Sequence, residues 1–91
     1  MSKNWKDLRE ELNLTPEEEA VIRMEKELIE TLIEIREKEG ITQAELAEKC
    51  HVKQPVIARL ENGTHSPQIN SLLRILVPLG YTLRVMPIKS K

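Results

Sequence analysis

The chain has few of the residues that several function classes require. Its 91 residues include no phenylalanine, one tryptophan, one tyrosine and one cysteine. So few aromatic side chains argue against RNA binding by base stacking. The single Cys50 excludes an intramolecular disulfide and fits a reducing, cytoplasmic compartment. We find no apolar run long enough to span a membrane and no signal-peptide pattern in the first ten residues. We therefore expect one small cytoplasmic domain without a membrane partner.

The residues needed for catalysis or metal binding are not arranged for either. The three glycines are dispersed at positions 40, 63 and 80, so they form no phosphate-binding loop. His51 and His65 are too far apart for a metal-ligand motif, although they adjoin Cys50 and Ser66. We expect no catalytic residue, no metal site and no cofactor, and therefore no enzyme.

Charge is divided unevenly along the chain, although the net charge is only −1. Residues 1–48 carry seven Lys/Arg and fourteen Asp/Glu, for a net −7, and residues 49–91 carry seven and one, for a net +6. A basic half suits a phosphate-rich partner. The acidic half indicates either a basic protein partner or a solvated helix face.

Two helices are predicted before residue 40. Trp5, Leu8 and Leu12 are spaced i, i+3 and i+7, which predicts a short amphipathic helix. Thr15 followed by proline and glutamates is a strong helix start, and residues 16–39 contain no internal break. That second helix should be about 35 Å long.

The long helix has two apolar stripes. One of them, formed by Leu28, Leu32 and Ile35, can cover the following helices. The other comprises Ile22, Ile29 and Ile33. Either this second stripe packs against the first short helix or it meets another chain.

Residues 42–63 form the most informative stretch. Two short amphipathic helices follow each other with almost no loop, which is typical of a helix-turn-helix whose second helix enters the DNA major groove. Thr42 and Glu45 can form a capping box, and small Ala47 permits a close helix crossing. Asn62-Gly63 is a favoured helix end.

A further helix with Ile69, Leu72 and Leu76 should close near Pro78 and Gly80. Residues 81–86 alternate and are rich in β-formers, so they predict one strand. Because a lone strand has unpaired backbone groups, we expect it to pair with a second copy or with another chain. In a dimer, the side chains at the interface would be Tyr81, Leu83 and Val85.

The pattern over residues 28–80 resembles the XRE-type helix-turn-helix family, the fold of the lambda-class phage repressors. The matching residues include Gly40-Ile41-Thr42-Gln43-Ala44-Glu45-Leu46-Ala47, Val52, Gln54-Pro55-Val56-Ile57 and Leu60-Glu61-Asn62-Gly63. Asn4-Trp5-Lys6-Asp7 and Gly80-Tyr81-Thr82-Leu83 are similar to a narrower group, the HigA-type antitoxins.

The resemblance implies which residues contact DNA. Gln54, at the start of the recognition helix, can pair bidentately with adenine, and Pro55 can contact a thymine methyl. Gln43 is similar to the family's phosphate anchor. Arg59 can read guanine or hold a phosphate, and the sequence leaves this open. Further candidates for backbone contacts are Lys53, Asn62 and Thr64.

Two other features follow from the family pattern. Arg36 and Glu61 should form a structural ion pair. The chain departs from the family where His51 takes the turn position usually held by glycine, and where Lys53 replaces a capping hydroxyl. We expect a positive φ at His51 and a loss of about 1 kcal/mol of capping at Lys53.

Together these features predict an all-α, lambda-repressor-like five-helix bundle with one C-terminal strand. Its parts would be a helical extension (residues 1–14), a DNA-binding domain (15–80) and a strand with a tail (81–91). The resemblance implies the antitoxin of a type II pair. Such a homodimer would repress its own operon on palindromic operator DNA and neutralise a small, basic HigB/RelE-like mRNA endoribonuclease.

Toxin-binding candidates are the apolar side chains of the acidic half, namely Trp5, Leu8, Leu12, Ile22, Ile29 and Ile33. Tryptophan is a favoured interface anchor, and so short a helix is unstable alone in water. The same side chains could instead complete the domain's own core. Two other functions stay open: a stand-alone XRE-type repressor, and a protein-binding adaptor that has lost DNA binding.

Overall fold

The computed structural model describes residues 14–88, which contain four α-helices. In chain order they are α1 (Pro16–Glu39), α2 (Gln43–Lys49), α3 (Gln54–Asn62) and α4 (Ile69–Leu76). The expected all-α class is confirmed. The more detailed prediction, five helices with a C-terminal strand, is wrong, because the described range has four helices and no strand. The short helix predicted around Trp5, Leu8 and Leu12 lies outside the described residues.

The C-terminal segment explains the missing strand. Residues 81–88 have no regular structure, and all eight are exposed. A strand exists only when its N–H and C=O groups pair with a neighbouring strand, and no other segment between residues 14 and 88 supplies one. Tyr81, Leu83 and Val85 therefore have the β-propensity of a strand, but no neighbouring strand between residues 14 and 88 pairs with them.

Capping boxes begin α1 and α2, at the helix start predicted at Thr15 and at the box predicted for Thr42 and Glu45. At α1 the Thr15 N–H donates to Glu18 Oε1 (2.9 Å), and the Glu18 N–H donates to Thr15 Oγ1 (3.2 Å). At α2 the Thr42 N–H donates to Glu45 Oε1 (2.8 Å), and the Glu45 N–H donates to Thr42 Oγ1 (3.1 Å). Between them Gly40 ends α1 with a left-handed φ of 73°. These local signals set where α1 ends and α2 begins.

Helix α4 ends earlier than predicted, at Leu76, and the chain then forms a tight turn. Pro78 has no N–H, so the α-helical bonding pattern stops at the residue before it. The next donors bond three residues back, from Leu79 N to Leu76 O (3.1 Å) and from Gly80 N to Val77 O (3.0 Å). The turn after α4 is therefore tighter than an α-helical turn.

The core lies where the four helices meet. Its most deeply buried side chains are Ile57, Leu72 and Ile75, from α3 and α4. The remaining buried members of the cluster are Leu32, Leu46, Ala47, Cys50, Leu60 and Leu76. Partly buried Leu28 and Val52 pack against it, so the first predicted stripe of α1 does cover the helix-turn-helix. Burying one such aliphatic side chain contributes about 1.5–3 kcal/mol.

The second apolar stripe of α1 is unevenly buried. Ile29 is buried although it does not belong to the core cluster, whereas Ile22 and Ile33 are half-buried. The exposed apolar side chains of α1 are instead Val21 and Met24. Within the described part of the chain, no helix has the length and apolarity needed to cross a membrane.

Candidate nucleic-acid interface

A short connection holds α3 across α2. The connection comprises residues 50–53. One of these, His51, has a left-handed backbone with φ of 58°, as the sequence predicted. The N–H of Val52 then donates to Ala47 O (3.0 Å), and Ala47 is buried at the crossing. Because the turn bonds directly to the last turns of α2, the direction of α3 is determined by α2.

The start of α3 points its polar side chains outward. Lys53, Gln54 and Pro55 are exposed, and proline costs no helical hydrogen bond in the first turn. Lys53 makes no side-chain cap, as predicted from its lack of an acceptor. Arg59, farther along α3, is also exposed. This surface offers a hydrogen-bonding amide, an apolar ring and two cations to a partner.

The predicted contacts at the end of α3 are exposed as well. Asn62 and Thr64 flank Gly63, which ends α3 with a left-handed φ of 72°. Thr64 Oγ1 lies 3.0 Å from His65 Nδ1, so this hydroxyl already has a local partner. The predicted DNA-binding residues therefore lie at both ends of one exposed helix face.

Beneath this surface lies the pair that the sequence predicted, Arg36 and Glu61. Arg36 Nε donates to Glu61 Oε2 (2.6 Å) and Arg36 Nη2 donates to Glu61 Oε1 (3.0 Å). Arg36 Nη1 also donates to Ile41 O (2.9 Å), in the connection between α1 and α2. The side chains are 15% and 8% exposed. Its hydrogen bonds to Glu61 raise the pKa of Arg36, against the smaller opposing effect of burial. The fork joins α1 to α3 through two parallel bonds.

The same carboxylate binds the expected phosphate anchor. Gln43 Nε2 donates to Glu61 Oε1 at 2.9 Å, and Gln54 Nε2 lies 3.5 Å from Gln43 Oε1. The first residues of α2 and α3 are thereby brought together, although eleven positions separate them in sequence. Gln43 is half-buried and Gln54 is exposed, so the network runs from the protein interior to the surface.

The structure adds two residues, Val56 and Arg74, that the sequence had not indicated as part of the interface. An open groove between α3 and α4 is lined by Lys53, Val56 and Arg74, among others. Val56 is an exposed apolar side chain on the recognition helix, and Arg74 adds a cation from α4. The alternation of polar and apolar residues in α3 could have indicated Val56. No local signal places Arg74 there, because packing of α4 against α3 decides it.

The other predicted partner surfaces are spread over the molecule. The dimer candidates Tyr81, Leu83 and Val85 are exposed in the irregular segment after α4. Along α4 and its C-cap, Ile69, Leu73 and Val77 are exposed at intervals of four residues, which puts them on one side of the helix. In the sequence alone, this stripe is not distinguishable from the core-facing residues of α4.

Comparison with known proteins identifies the same unit. The family model described as Helix-turn-helix matches residues 32–86. A curated relative from Haemophilus influenzae, an "Uncharacterized HTH-type transcriptional regulator", is 37% identical over all 91 residues and 92% of its own length. A solved chain from a structure named "Toxin-Antitoxin module from Streptococcus pneumoniae" is 44% identical, with a TM-score of 0.67. That match covers 98% of this chain and 97% of the solved one.

Proposed function

Because the chain belongs to the XRE-type helix-turn-helix family of DNA-binding regulators, which are not enzymes, we propose that it is a HigA-type antitoxin. In this role it acts in the cytoplasm, neutralises a small basic endoribonuclease of the HigB/RelE kind and represses its own operon. The observation that carries the proposal is the 44% identity, over nearly the whole of both chains, with a protein from a toxin–antitoxin module.

DNA recognition rests on the exposed start of α3. Gln54 can read an adenine in the major groove, and Pro55 and Val56 offer apolar contacts to thymine methyl groups. Lys53 and Gln43 flank these base-contacting side chains, where phosphates would lie. Arg59 contacts either a guanine or a phosphate, and the selected operator sequence will distinguish these two roles.

Two observations support a homodimer on a palindromic operator: tight binding requires two recognition helices, and α4 has an apolar surface that a second copy could cover. Two helix-turn-helix units reading successive major grooves lie about 34–36 Å apart. An exposed apolar stripe runs along α4 and its C-cap and is formed by Ile69, Leu73 and Val77; α4 is the helix that borders α3 along the groove. Such a stripe is suited to a self-complementary contact between two copies.

The toxin is proposed to bind the acidic half. Helix α1 has nine glutamates against four Lys/Arg, which suits a basic partner. On this helix Val21 and Met24 are 56% and 60% exposed and lie one turn apart, so they supply an apolar centre within the acidic surface. Ile22 and Ile33, both half-buried, border it, whereas Ile29 is too buried to contact a partner directly.

The first experiment selects binding sites from a random DNA pool with the full chain. We expect a palindromic sequence to be enriched. Gln54→Ala should lower affinity for that sequence by about 1–3 kcal/mol and relax preference at one base pair in each half-site. Equal losses of Gln54→Ala on selected and random DNA would refute the assignment of Gln54 as a base-reading residue.

The second experiment co-expresses the chain with the product of the neighbouring reading frame, which the proposal expects to be a small basic protein. We expect the two to co-purify and the chain to restore growth. Met24→Gln should weaken the complex by about 1–2 kcal/mol through lost apolar contact. Lys26→Gln is the matched control, because it introduces the same side chain at an exposed position on the opposite side of α1.

Deleting residues 1–13 separates the two accounts of the N-terminal apolar residues. If they bind the toxin, neutralisation is lost while specific DNA binding survives. If they complete the core, the melting temperature falls and both activities are lost together. Selection of an operator without binding to any neighbouring protein would favour the stand-alone repressor instead.

A further inference from the structure

We propose that Glu61 is a positioning residue for base recognition, which acts through Gln43 to determine which end of the Gln54 amide faces the DNA. The inference rests on the proposed function, in which Gln54 reads a base. It goes further by assigning to the ion pair a role in sequence preference, in addition to its role in stability.

The donors and acceptors of the buried pair fix which groups face each other. A guanidinium can only donate, so Arg36 must face the acceptor oxygens of Glu61, which it does at 2.6 and 3.0 Å. A carboxylate can only accept, so the Gln43 amide must present its nitrogen to Glu61, which it does at 2.9 Å. The orientation of the Gln43 amide is therefore imposed by the chemistry of its neighbour.

The same constraint passes to Gln54. Because the nitrogen of Gln43 is held by Glu61, its oxygen is left as an acceptor, and Gln54 Nε2 lies 3.5 Å from it. This distance is long for a hydrogen bond, and a shift of a few tenths of an ångström brings it into the usual range. Gln54 and Glu61 lie seven residues apart on α3, and Gln43 links them from α2.

The consequence is a preference between purines. With one N–H directed at Gln43, Gln54 retains its oxygen and one N–H for the base. Adenine offers a donor at N6 and an acceptor at N7, which match these two groups. Guanine offers acceptors at both O6 and N7, so the Gln54 oxygen would face another acceptor. The orientation imposed by Glu61 thus favours adenine over guanine.

The test uses Glu61→Gln in the full chain on two DNA duplexes. One is the sequence that the wild-type chain selects, and the other has G·C in place of A·T at the base pair that loses preference in Gln54→Ala. Gln at position 61 can donate as well as accept, so Gln43 is free to present either end. The wild-type preference for A·T, expressed as the ratio of the two dissociation constants, should fall by about fivefold or more.

Two further variants separate positioning from stability. Gln43→Met removes the link while leaving Arg36 and Glu61 paired, so it should reduce the ratio even if Glu61→Gln folds poorly. Combined with Glu61→Gln, it should reduce the ratio no further than either change alone. Ile75→Val loosens the core on α4 without touching this network, so it should weaken binding to both duplexes equally.

The outcomes are distinct. Loss of the ratio in Glu61→Gln and Gln43→Met, with the ratio intact in Ile75→Val, supports the inference. A ratio that stays at the wild-type value in Gln43→Met, or in a folded Glu61→Gln, overturns it while leaving DNA recognition by Gln54 in place. If the wild-type chain selects no sequence at all, the proposed function itself fails and the inference fails with it.

Discussion

Removing the cation of the buried pair should destabilise the domain strongly. Arg36→Met keeps most of the apolar stem but deletes two hydrogen bonds to Glu61 and one to Ile41 O. Glu61, only 8% exposed, would keep the Gln43 amide as its remaining partner in the network. Breaking a buried pair in this way costs about 3–5 kcal/mol. Because water reaches 15% of the Arg36 side chain, we expect about 3 kcal/mol, at the lower end.

That loss is large for so small a domain. A chain of this length has a free energy of unfolding of about 5–14 kcal/mol. A loss of about 3 kcal/mol corresponds to a melting temperature lower by roughly 12–24 °C. Urea denaturation followed by circular dichroism measures the free energy directly. Because the pKa of Arg36 is raised, its charge contributes fully below the ordinary arginine value and is lost only as the pH rises through the raised one. The effect of the cation should therefore be constant from about pH 6 to pH 9.

The double variant tests the reasoning. Arg36→Met with Glu61→Met replaces both charges by apolar groups of similar volume, so stability should return to within about 1 kcal/mol of wild type. Lys26→Met makes the same substitution at an exposed site of α1 and should change stability by less than about 0.5 kcal/mol. A cost below about 0.5 kcal/mol for Arg36→Met, or a double variant as unstable as the single one, would show that the pair is not the coupled unit described here.

Three other predictions concern separate sites. Leu73→Glu on the α4 stripe should convert the proposed dimer into a monomer in light scattering; a dimer of unchanged mass would exclude this stripe as the interface. Lys53→Thr should add a helix cap worth about 1 kcal/mol in urea denaturation and weaken binding to all DNA. If it changes neither quantity, both roles of this position are wrong. Burial raises the pKa of the Cys50 thiol, an effect that Lys49 partly offsets, so alkylation by iodoacetamide near neutral pH should be at least about tenfold slower than in urea. The contribution of the buried Cys50 thiol to stability is full at neutral pH and falls as the pH rises above the ordinary thiol pKa. Equally fast alkylation of folded and unfolded chains would contradict the burial.

Local sequence signals were sufficient for the helix ends. Thr15 and Thr42, each followed by glutamate at the third helical position, set the starts of α1 and α2, and both capping boxes form. Gly40 and Gly63 end α1 and α3 in the left-handed conformation. These features depend on hydrogen bonds between residues close in sequence, so the sequence contains them in full.

The strand prediction failed for the opposite reason. Residues 81–86 have the composition of a strand, yet strand formation depends on a second segment whose position the composition does not state. The end of α4 was predicted only in part. Pro78 indicated that the helix would end nearby, but the last helical residue followed from the turn that the missing N–H of Pro78 imposes.

By itself, the sequence determined the helix-turn-helix and its caps and indicated the candidate DNA-contact residues, because these follow from short spacings and residue chemistry. Only the tertiary structure decided that Glu61 would join Arg36 to Gln43, that Gln54 would lie next to Gln43, and that Arg74 would line the groove beside α3. The tertiary structure also buried Ile29 and left Met24 exposed. Each of these depends on the packing of helices far apart in sequence, which short-range patterns do not record.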